Sequence, residues 1–328
     1  MFLSLFGAVE SGLMYAIMAL GVYLSFRILD FPDLTVDGSF VTGGAVAAVS
    51  IMNGVSPLVA TLLGALAGFL AGVCTGLLHT KGKINPLLSG ILMMIALYSI
   101  NLRIMGSSQI SLLQETTLQT QITNLWNKTG LDQVINGFLQ AVGIDRVPAT
   151  WGMLFFMLVV IIIIKLLIDY YLKTEYGLAL RATGDNQRMI RSFSANTDNL
   201  IIVGIGLSNG LVALAGAIIA QSSGFADVGM GIGMIIIGLA SVIIGEALFG
   251  AKTIARATLA VVLGAIIYRF VVTMALRSKF LETGDMKLIT AVLVIIALIT
   301  PQIIQAQREK KRRKQKQAQL EAGEMHNA

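Results

Sequence analysis

Apolar sequence fills almost the whole chain, and this feature restricts the fold more than any other. The 328 residues are 55% hydrophobic and only 13% charged, and apolar runs follow one another from Phe6 to Ile304. Such a composition does not suit a water-soluble core. Because a membrane-spanning helix needs about 20 mostly apolar residues, the sequence predicts an all-α, polytopic membrane protein with little room for a soluble domain.

Charge breaks divide the apolar sequence into about nine predicted spans. They cover residues 7–26, 38–53, 56–78, 86–104, 150–172, 199–222, 228–249, 254–275 and 286–304. A basic tail, Arg308 to Lys316, follows the last span and places the C-terminus in the cytoplasm by the positive-inside rule. An odd number of spans then gives an external N-terminus.

This topology assigns each larger polar segment to one side of the membrane. Residues 1–305 form the predicted transmembrane domain, and residues 306–328 form a cytoplasmic tail that contacts lipid head groups. Residues 106–150 become an extracytoplasmic loop, in which the apolar spacing from Leu131 to Val142 predicts a helix lying on a surface. Residues 173–198 become a cytoplasmic segment.

The sequence offers little for metal binding, catalysis or nucleotide binding. Its single cysteine, Cys74, and its two histidines, His79 and His326, cannot build a cysteine-based or histidine-based metal site. The stretch from Gly245 to Thr253 is similar to a phosphate-binding loop, but alanine stands where that loop needs lysine directly after its second glycine. We therefore expect no enzyme activity, no metal, no bound cofactor and no nucleic-acid partner.

The polar segment between the first two predicted spans, L-D-F-P-D-L-T-V-D-G-S at 29–39, has two interpretations. Pro32 and Gly38 would break a helix near residues 30–40. As an ordinary inner loop, the segment would leave three acids solvated: Asp30, Asp33 and Asp37. As a broken helix that lines a solute path, it would present three polar side chains to the solute: Thr35, Asp37 and Ser39.

Other polar or small side chains lie inside predicted spans. Asn101 follows Tyr98 by three residues on the same helix face, and Asn209 lies in the sixth span. These three side chains either form hydrogen bonds between helices or line a translocation path. Glycine recurs at every fourth position from Gly64 to Gly76, which predicts close approach of another helix.

The polar stretch from Lys173 to Asn186 is compatible with a short helix and lies on the positively charged side. Acidic and basic side chains kept together there would present a contact surface to a soluble partner. Arg181 and Asp185 are spaced to pair on one face, and Gly177 and Gly184 would allow sharp turns at the ends of the helix. The residues that we expect to form this contact are Glu175, Tyr176, Gly177, Arg181, Ala182, Gly184, Asp185 and Asn186.

Four sequence stretches, none of which is very specific alone, are specific when they occur together in this order. They are D-L-T-V with the following G-S and small residues at 33–48, K-G-K-I-N-P with G-I-L-M-M at 81–94, Y-G-L-A-L-R-A-T-G-D-N at 176–186, and A-L-A-G-A-I at 213–218. With them the chain resembles, over most of its length, the permease subunits of bacterial ATP-binding-cassette importers of the ribose and branched-chain amino acid type. The family's usual extra N-terminal span is not expected here.

The resemblance implies a permease subunit in the bacterial inner membrane that pairs with a second permease copy as a homodimer. It implies two copies of a separate ATPase subunit, which bind ATP and magnesium and contact the 173–198 segment as a coupling helix. It also implies an extracytoplasmic solute-binding protein. Asp37 stands where the sugar permeases have no acid, so an amino-acid-like solute is favoured. An ion-coupled secondary transporter is the alternative.

Overall fold

The structure, a computed structural model, describes residues 2–141, 146–193 and 195–276, together with five separate positions: Leu288, Ala291, Val292, Ile295 and Ile299. The regular elements in chain order are α1 (Phe2–Val22, continued by a π-helical segment, Tyr23–Ile28), α2 (Thr35–Met52), α3 (Pro57–Thr80), α4 (Pro86–Met105), β1 (Gln109–Ser111), α5 (Leu118–Asn127), α6 (Leu131–Ala141), α7 (Gly152–Lys173), α8 (Glu175–Ser192), α9 (Thr197–Ser223), β2 (Phe225–Asp227), α10 (Met234–Phe249) and α11 (Ile254–Leu276).

Seven of these helices, in the part of the chain that is described, are long and apolar enough to cross a membrane: α1 with its π-helical segment, α2, α3, α4, α7, α9 and α11. The chain is therefore a mainly helical, multi-pass membrane protein, as the apolar sequence predicted. The predicted span at 228–249 contains only the 16-residue α10, because residues 228–233 form turns. The predicted span at 286–304 and the tail at 306–328 lie almost entirely outside the described residues. The total of nine spans and the orientation of the termini stay predictions.

A short β-ribbon, which an all-helical prediction did not include, joins the ends of two helices. Strand β1 follows α4 and pairs with β2, which follows α9, in antiparallel register with Ile110 opposite Ala226. Both helices end at a glycine with positive φ, Gly106 at 67° and Gly224 at 77°, which turns the chain out of the helix. We call this end of the bundle the ribbon side and the opposite end, which carries α8, the α8 side.

The predicted glycine ridge lies where α3 packs against α9. A methyl group added at Gly72 would lie 2.5 Å from the Ile205 carbonyl oxygen, and one added at Gly76 would lie 2.8 Å from the Ile202 Cα. Gly64, further along α3, meets the backbone of α2 at Gly43 in the same way. The prediction of close helix approach is therefore confirmed, and α2, α3 and α9 form one compact block of helices.

The first helix occupies the centre of the bundle and is buried along most of its length. It packs against α9, α10, α11 and α7. The Ser208 hydroxyl of α9 donates to the Gly21 carbonyl oxygen at 2.7 Å. Between α10 and α11 the contact is again close, because a methyl group at Gly245 would lie 2.1 Å from the Ala260 carbonyl oxygen. The α10–α11 pair therefore forms a second block beside α1.

The predicted surface helix is α6, which lies with α5 on the ribbon side. Its position is held by indole hydrogen bonds: Trp126 Nε1 donates to Asp132 Oδ1 at 2.8 Å, and Trp151 Nε1 donates to Asn136 Oδ1 at 3.0 Å. The two tryptophans thus connect α5, α6 and the start of α7, and they suit the membrane–water boundary.

We predict that Gly72→Ala destabilises the bundle. The added methyl group meets backbone atoms that cannot rotate away, and such overpacking lowers the free energy of unfolding by about 1–3 kcal/mol. Gly7→Ala in α1 is the control, because a methyl group there has nothing within 4 Å. Thermal unfolding of both variants in detergent tests the prediction, and equal melting temperatures for Gly72→Ala and wild type would contradict it.

Candidate functional site

The chain leaves helical geometry between Ile28 and Thr35 and then resumes it. Asp30 adopts a positive φ of 51° inside this break. Pro32 lies in the break, as predicted, but Gly38 does not end a helix: it lies within α2, where a methyl group would come within 2.9 Å of the Leu97 side chain. The interruption predicted near residues 30–40 therefore lies at residues 29–34, between α1 and α2, which are separate candidate spans, and not inside one helix. The role given to Gly38 was wrong.

Asp33 connects this break to the middle of α9. Its carboxylate is fully buried: Oδ1 accepts from the Thr35 backbone N–H at 2.9 Å, and Oδ2 accepts from Asn209 Nδ2 at 2.5 Å. The inner-loop interpretation, in which three acids are solvated, was therefore wrong for Asp33 and holds only for the exposed Asp30. The sequence held one signal of this role, since an acid two residues before a helix start can accept that helix's first free N–H.

Asp37 connects α2 to a second interruption, the turns at 228–233 before α10. Its Oδ2 accepts from the Gly233 backbone N–H at 2.9 Å, and its Oδ1 accepts from the Ile235 backbone N–H at 2.8 Å. The first N–H groups of a helix have no partner within that helix, and they carry partial positive charge. The Asp37 carboxylate thus caps α10 from another helix.

A cavity of about 390 Å³ lies beside this cap, between α2, α4 and the turns at 228–233. Three polar side chains line it: Asp37, Tyr98 and Asn101. The Asn101 amide donates to the Gly38 carbonyl oxygen at 3.3 Å, and its buried Oδ1 has no hydrogen-bond partner in the described part of the chain. The rest of the lining is small or apolar: Gly38, Val41, Met94, Ile95, Val228, Gly231 and Ile232. An apolar cavity of this size with a few convergent polar groups is typical of small-molecule sites.

The other three predicted path residues do not line this cavity. Thr35 is buried and shares a hydrogen bond of 2.8 Å with the Thr75 hydroxyl. Asn209 is buried against Asp33, and the buried Ser39 hydroxyl has no hydrogen-bond partner within the residues that the structure describes. These side chains lie between packed helices, whereas Asp37, Tyr98 and Asn101 lie together at open space. A role of any of the six in transport stays a prediction.

The predicted contact segment forms α8. Thr174 caps the start of this helix, since its hydroxyl oxygen accepts from the Gly177 N–H at 3.2 Å. Asn186 has non-helical angles, φ −156° and ψ 87°, so the helix bends where the predicted contact segment ends. Of the predicted contact residues, some are exposed, some partly buried, and Gly177 is buried. The exposed ones are Glu175, Tyr176, Asp185 and Asn186, and the partly buried ones are Arg181, Ala182 and Gly184.

The two glycines of α8 serve close packing and not sharp turns. A methyl group at Gly177 would lie 2.1 Å from the Tyr171 carbonyl oxygen, and one at Gly184 would lie 2.1 Å from the Ile28 carbonyl oxygen. Arg181 and Asp185 form no ion pair with each other among the described residues. The predicted turns and the predicted pair are therefore corrected: α8 is held by contact with the end of the π-helical segment.

The described residues include no group of three or more histidine, cysteine or acidic side chains that could hold a metal ion. Residues 4–299 match a family described as the permease component of the branched-chain amino acid transport system. The chain belongs to this family. It is the permease component of a transport system of the ATP-binding-cassette type, and a transport component rather than an enzyme.

Three curated proteins are similar to this permease. A tyrosine transport system permease protein of Clostridioides difficile (strain R20291) is 43% identical over 88% of each chain. An uncharacterised protein of Rickettsia prowazekii (strain Madrid E) is 35% identical over 74% of this chain and 76% of its own. A fructose import permease protein of Bifidobacterium longum (strain NCC 2705) is 24% identical over 94% of this chain and 80% of its own. No solved structure matches the permease.

We predict that Asp33→Ala lowers the free energy of unfolding by about 1–3 kcal/mol, since it leaves the Thr35 N–H without its acceptor and Asn209 Nδ2 with the Ile205 carbonyl oxygen alone. Asp33→Asn is the matched control and should retain most of the stability. Asn209 can turn its amide so that Oδ1, which has no partner among the described residues, accepts from the new side chain, in exchange for the Nδ2 bond to the Ile205 carbonyl oxygen. Chemical denaturation measures both variants, and wild-type stability of Asp33→Ala would contradict the role given to Asp33.

We predict that Asp37→Ala loosens the start of α10. Loss of a helix cap costs about 0.5–2 kcal/mol, so amide hydrogen exchange at residues 233–236 should become several-fold faster. Hydrogen–deuterium exchange with mass spectrometry measures this change. Asp185→Ala on the exposed face of α8 is the control, and unchanged exchange at 233–236 in Asp37→Ala would show that the cap is dispensable.

Proposed function

We propose that this permease forms the membrane path of an ATP-driven importer for an amino-acid-like solute. In this proposal two separate ATPase subunits bind ATP and magnesium, an extracytoplasmic binding protein delivers the solute, and a second permease copy completes the path. The N-terminus lies outside the cell, and α8 lies in the cytoplasm. Membership of the permease family supports the proposal, and so does the connection between α8 and the cavity.

The observation that carries the proposal is the continuous contact from α8 to the cavity. Gly184 of α8 lies against the Ile28 carbonyl oxygen, and Leu180 of α8 and Leu29 both contact Gly204 of α9. The chain then runs from Leu29 through the break at 29–34 to Asp37 at the cavity. A displacement of α8 would therefore act on the segment that positions Asp37.

The outer face of α8 has the composition of a docking surface. Large apolar side chains are exposed there, with Tyr176 at 44%, Leu178 at 51% and Met189 at 48% of their full exposure. Charged Glu175 and Asp185 are exposed on the same helix. Apolar patches with a polar rim are typical of protein interfaces, and an ATPase subunit is the partner that the family supports.

The cavity suits a small solute with an ammonium group and an apolar or aromatic side chain. Asp37 offers the carboxylate, and Tyr98 and Asn101 offer a hydroxyl and an amide in an otherwise apolar lining. The Clostridioides difficile relative is a tyrosine permease at 43% identity, whereas the fructose permease is 24% identical. Both facts favour an amino-acid-like solute over a sugar.

The side of the cavity formed by α4 is open and apolar, with Ile95 exposed at 59% and Tyr98 at 52%. A second permease copy placed against α4 would close the cavity and turn it into a path between two subunits. Symmetric pairing of identical surfaces is the commonest arrangement of homo-oligomers.

The decisive experiment is solute uptake by reconstituted vesicles. Permease, ATPase and binding protein together should take up L-tyrosine only when ATP is supplied to the ATPase side. Uptake by the permease alone, driven by a proton or sodium gradient, would instead support a secondary transporter. Co-purification of an ATPase with the tagged permease is a simpler first measurement.

We predict that Arg181→Glu and Gly184→Ala abolish ATP-driven uptake while the permease still inserts and purifies with its ATPase. Arg181→Glu reverses a charge on α8, and the Gly184 methyl group would push α8 away from Ile28. Arg103→Glu is the control, because Arg103 is exposed near the end of α4 on the ribbon side, away from α8. The ratio of uptake to ATP hydrolysis is the readout, and a wild-type ratio in both α8 variants would contradict the coupling role.

A further inference from the structure

A second cavity lies on the ribbon side, separate from the candidate site. It has a volume of about 220 Å³ and lies between α1, α5, α11 and the end of α9. Two charged side chains of opposite sign line it, Glu10 of α1 and Arg269 of α11, together with the hydroxyl groups of Ser11, Ser222 and Ser223. Apolar surface comes from Met14 and Ile219.

Neither charge is neutralised by a protein partner in the described part of the chain. The ion pairs there are Arg27–Glu246, Lys165–Asp169 and Arg191–Asp198, so Glu10 and Arg269 belong to none. The Arg269 guanidinium lies over the Tyr15 ring, 4.4 Å from the ring centroid, and its buried Nε has no hydrogen-bond partner among the described residues. The ring positions the guanidinium and leaves its Nε–H free for another acceptor.

Another pair of charges inside the bundle is neutralised within the protein. Lys165 and Asp169 of α7 pair directly at 2.5 Å, and the Thr258 hydroxyl of α11 donates to the second Asp169 oxygen at 2.6 Å. Charges within membrane spans are costly and normally pair or line a functional site. Glu10 and Arg269 lie within spans, do not pair, and line one cavity.

We propose that this cavity binds the zwitterionic head group of a free α-amino acid. Glu10 accepts hydrogen bonds from the ammonium group, and Arg269 donates to the carboxylate, with the serine hydroxyls completing the contacts. The cavity is smaller than the roughly 300–1,000 Å³ of sites for drug-sized ligands, which restricts the ligand to a small solute. This site is distinct from the cavity at Asp37, and the proposal does not depend on ATP-driven transport.

Equilibrium binding to the full-length permease in lipid nanodiscs, without ATPase or ATP, tests the proposal. Radiolabelled L-alanine, L-leucine and L-tyrosine are the probes. Saturable binding of at least one is expected, and Glu10→Gln and Arg269→Gln should each weaken it about tenfold or more, because each removes a charge-assisted hydrogen bond. Analogues of the bound amino acid that lack either the carboxylate or the ammonium group should compete poorly.

Matched controls separate recognition from loss of structure. Glu115→Gln and Arg103→Gln make the same charge changes at exposed positions and should bind as wild type. Arg269→Lys keeps the positive charge and should retain part of the affinity, provided that every variant elutes as a single species. Glu10→Gln and Arg269→Gln are each also combined with Asp37→Ala, which removes the carboxylate of the other cavity. No saturable binding, or no loss of binding in these combinations relative to Asp37→Ala alone, would overturn the proposal. The double variant, with Glu10→Gln and Arg269→Gln together, is a further test. If it binds as wild type does, the two side chains only offset each other's charge and do not contact the ligand, which would also overturn the proposal.

Discussion

Satisfaction of backbone polar groups where helices are interrupted is the constraint on which the rest of this structure depends. In a membrane such groups find partners only within the protein. Two carboxylates meet this requirement, Asp33 at the break before α2 and Asp37 at the start of α10. In each carboxylate the two oxygen atoms accept hydrogen bonds from two different groups. Asp33 thereby fixes the break against α9, and Asp37 fixes α2 against the start of α10. The geometry of the cavity at Asp37 follows from these contacts.

Two blocks of helices meet at the Asp37 cap, beside this cavity, which is itself lined by α2, α4 and the turns before α10. Glycines that lie against the backbone of a neighbouring helix allow close packing in both blocks. One block consists of α2, α3 and α9, and the other of α10 and α11. Between α2 and α10 the contacts are fewer, and they include the Asp37 carboxylate and the approach of Gly231 to the Asp37 carbonyl oxygen. Because close-packed blocks resist internal deformation, relative movement is easiest where the packing is sparse, which is beside the cavity.

Local patterns in the sequence were sufficient for seven of the nine predicted spans, the glycine ridge on α3, the surface helix α6 and the polar helix α8. The contacts that depend on distant segments could not be read in this way. The sequence gives no sign that Asp37 caps a helix almost 200 residues later, that Asp33 meets Asn209, or that residues 109–111 and 225–227 pair. Gly38 and Gly184 were mistaken for helix breakers because glycine serves turns and close packing equally. The candidate site could be predicted in part, since only Asp37, Tyr98 and Asn101 of six residues reach the cavity.

The cap on α10 gives Asp37 a second property. Its two oxygen atoms are already engaged by the N–H groups of Gly233 and Ile235 while the same side chain faces the cavity. A cation that arrives there competes with a helix terminus for one carboxylate. If the cavity binds a cation, as we propose, the binding of that cation and the capping of α10 are thermodynamically linked, and each weakens or strengthens the other by the same free energy.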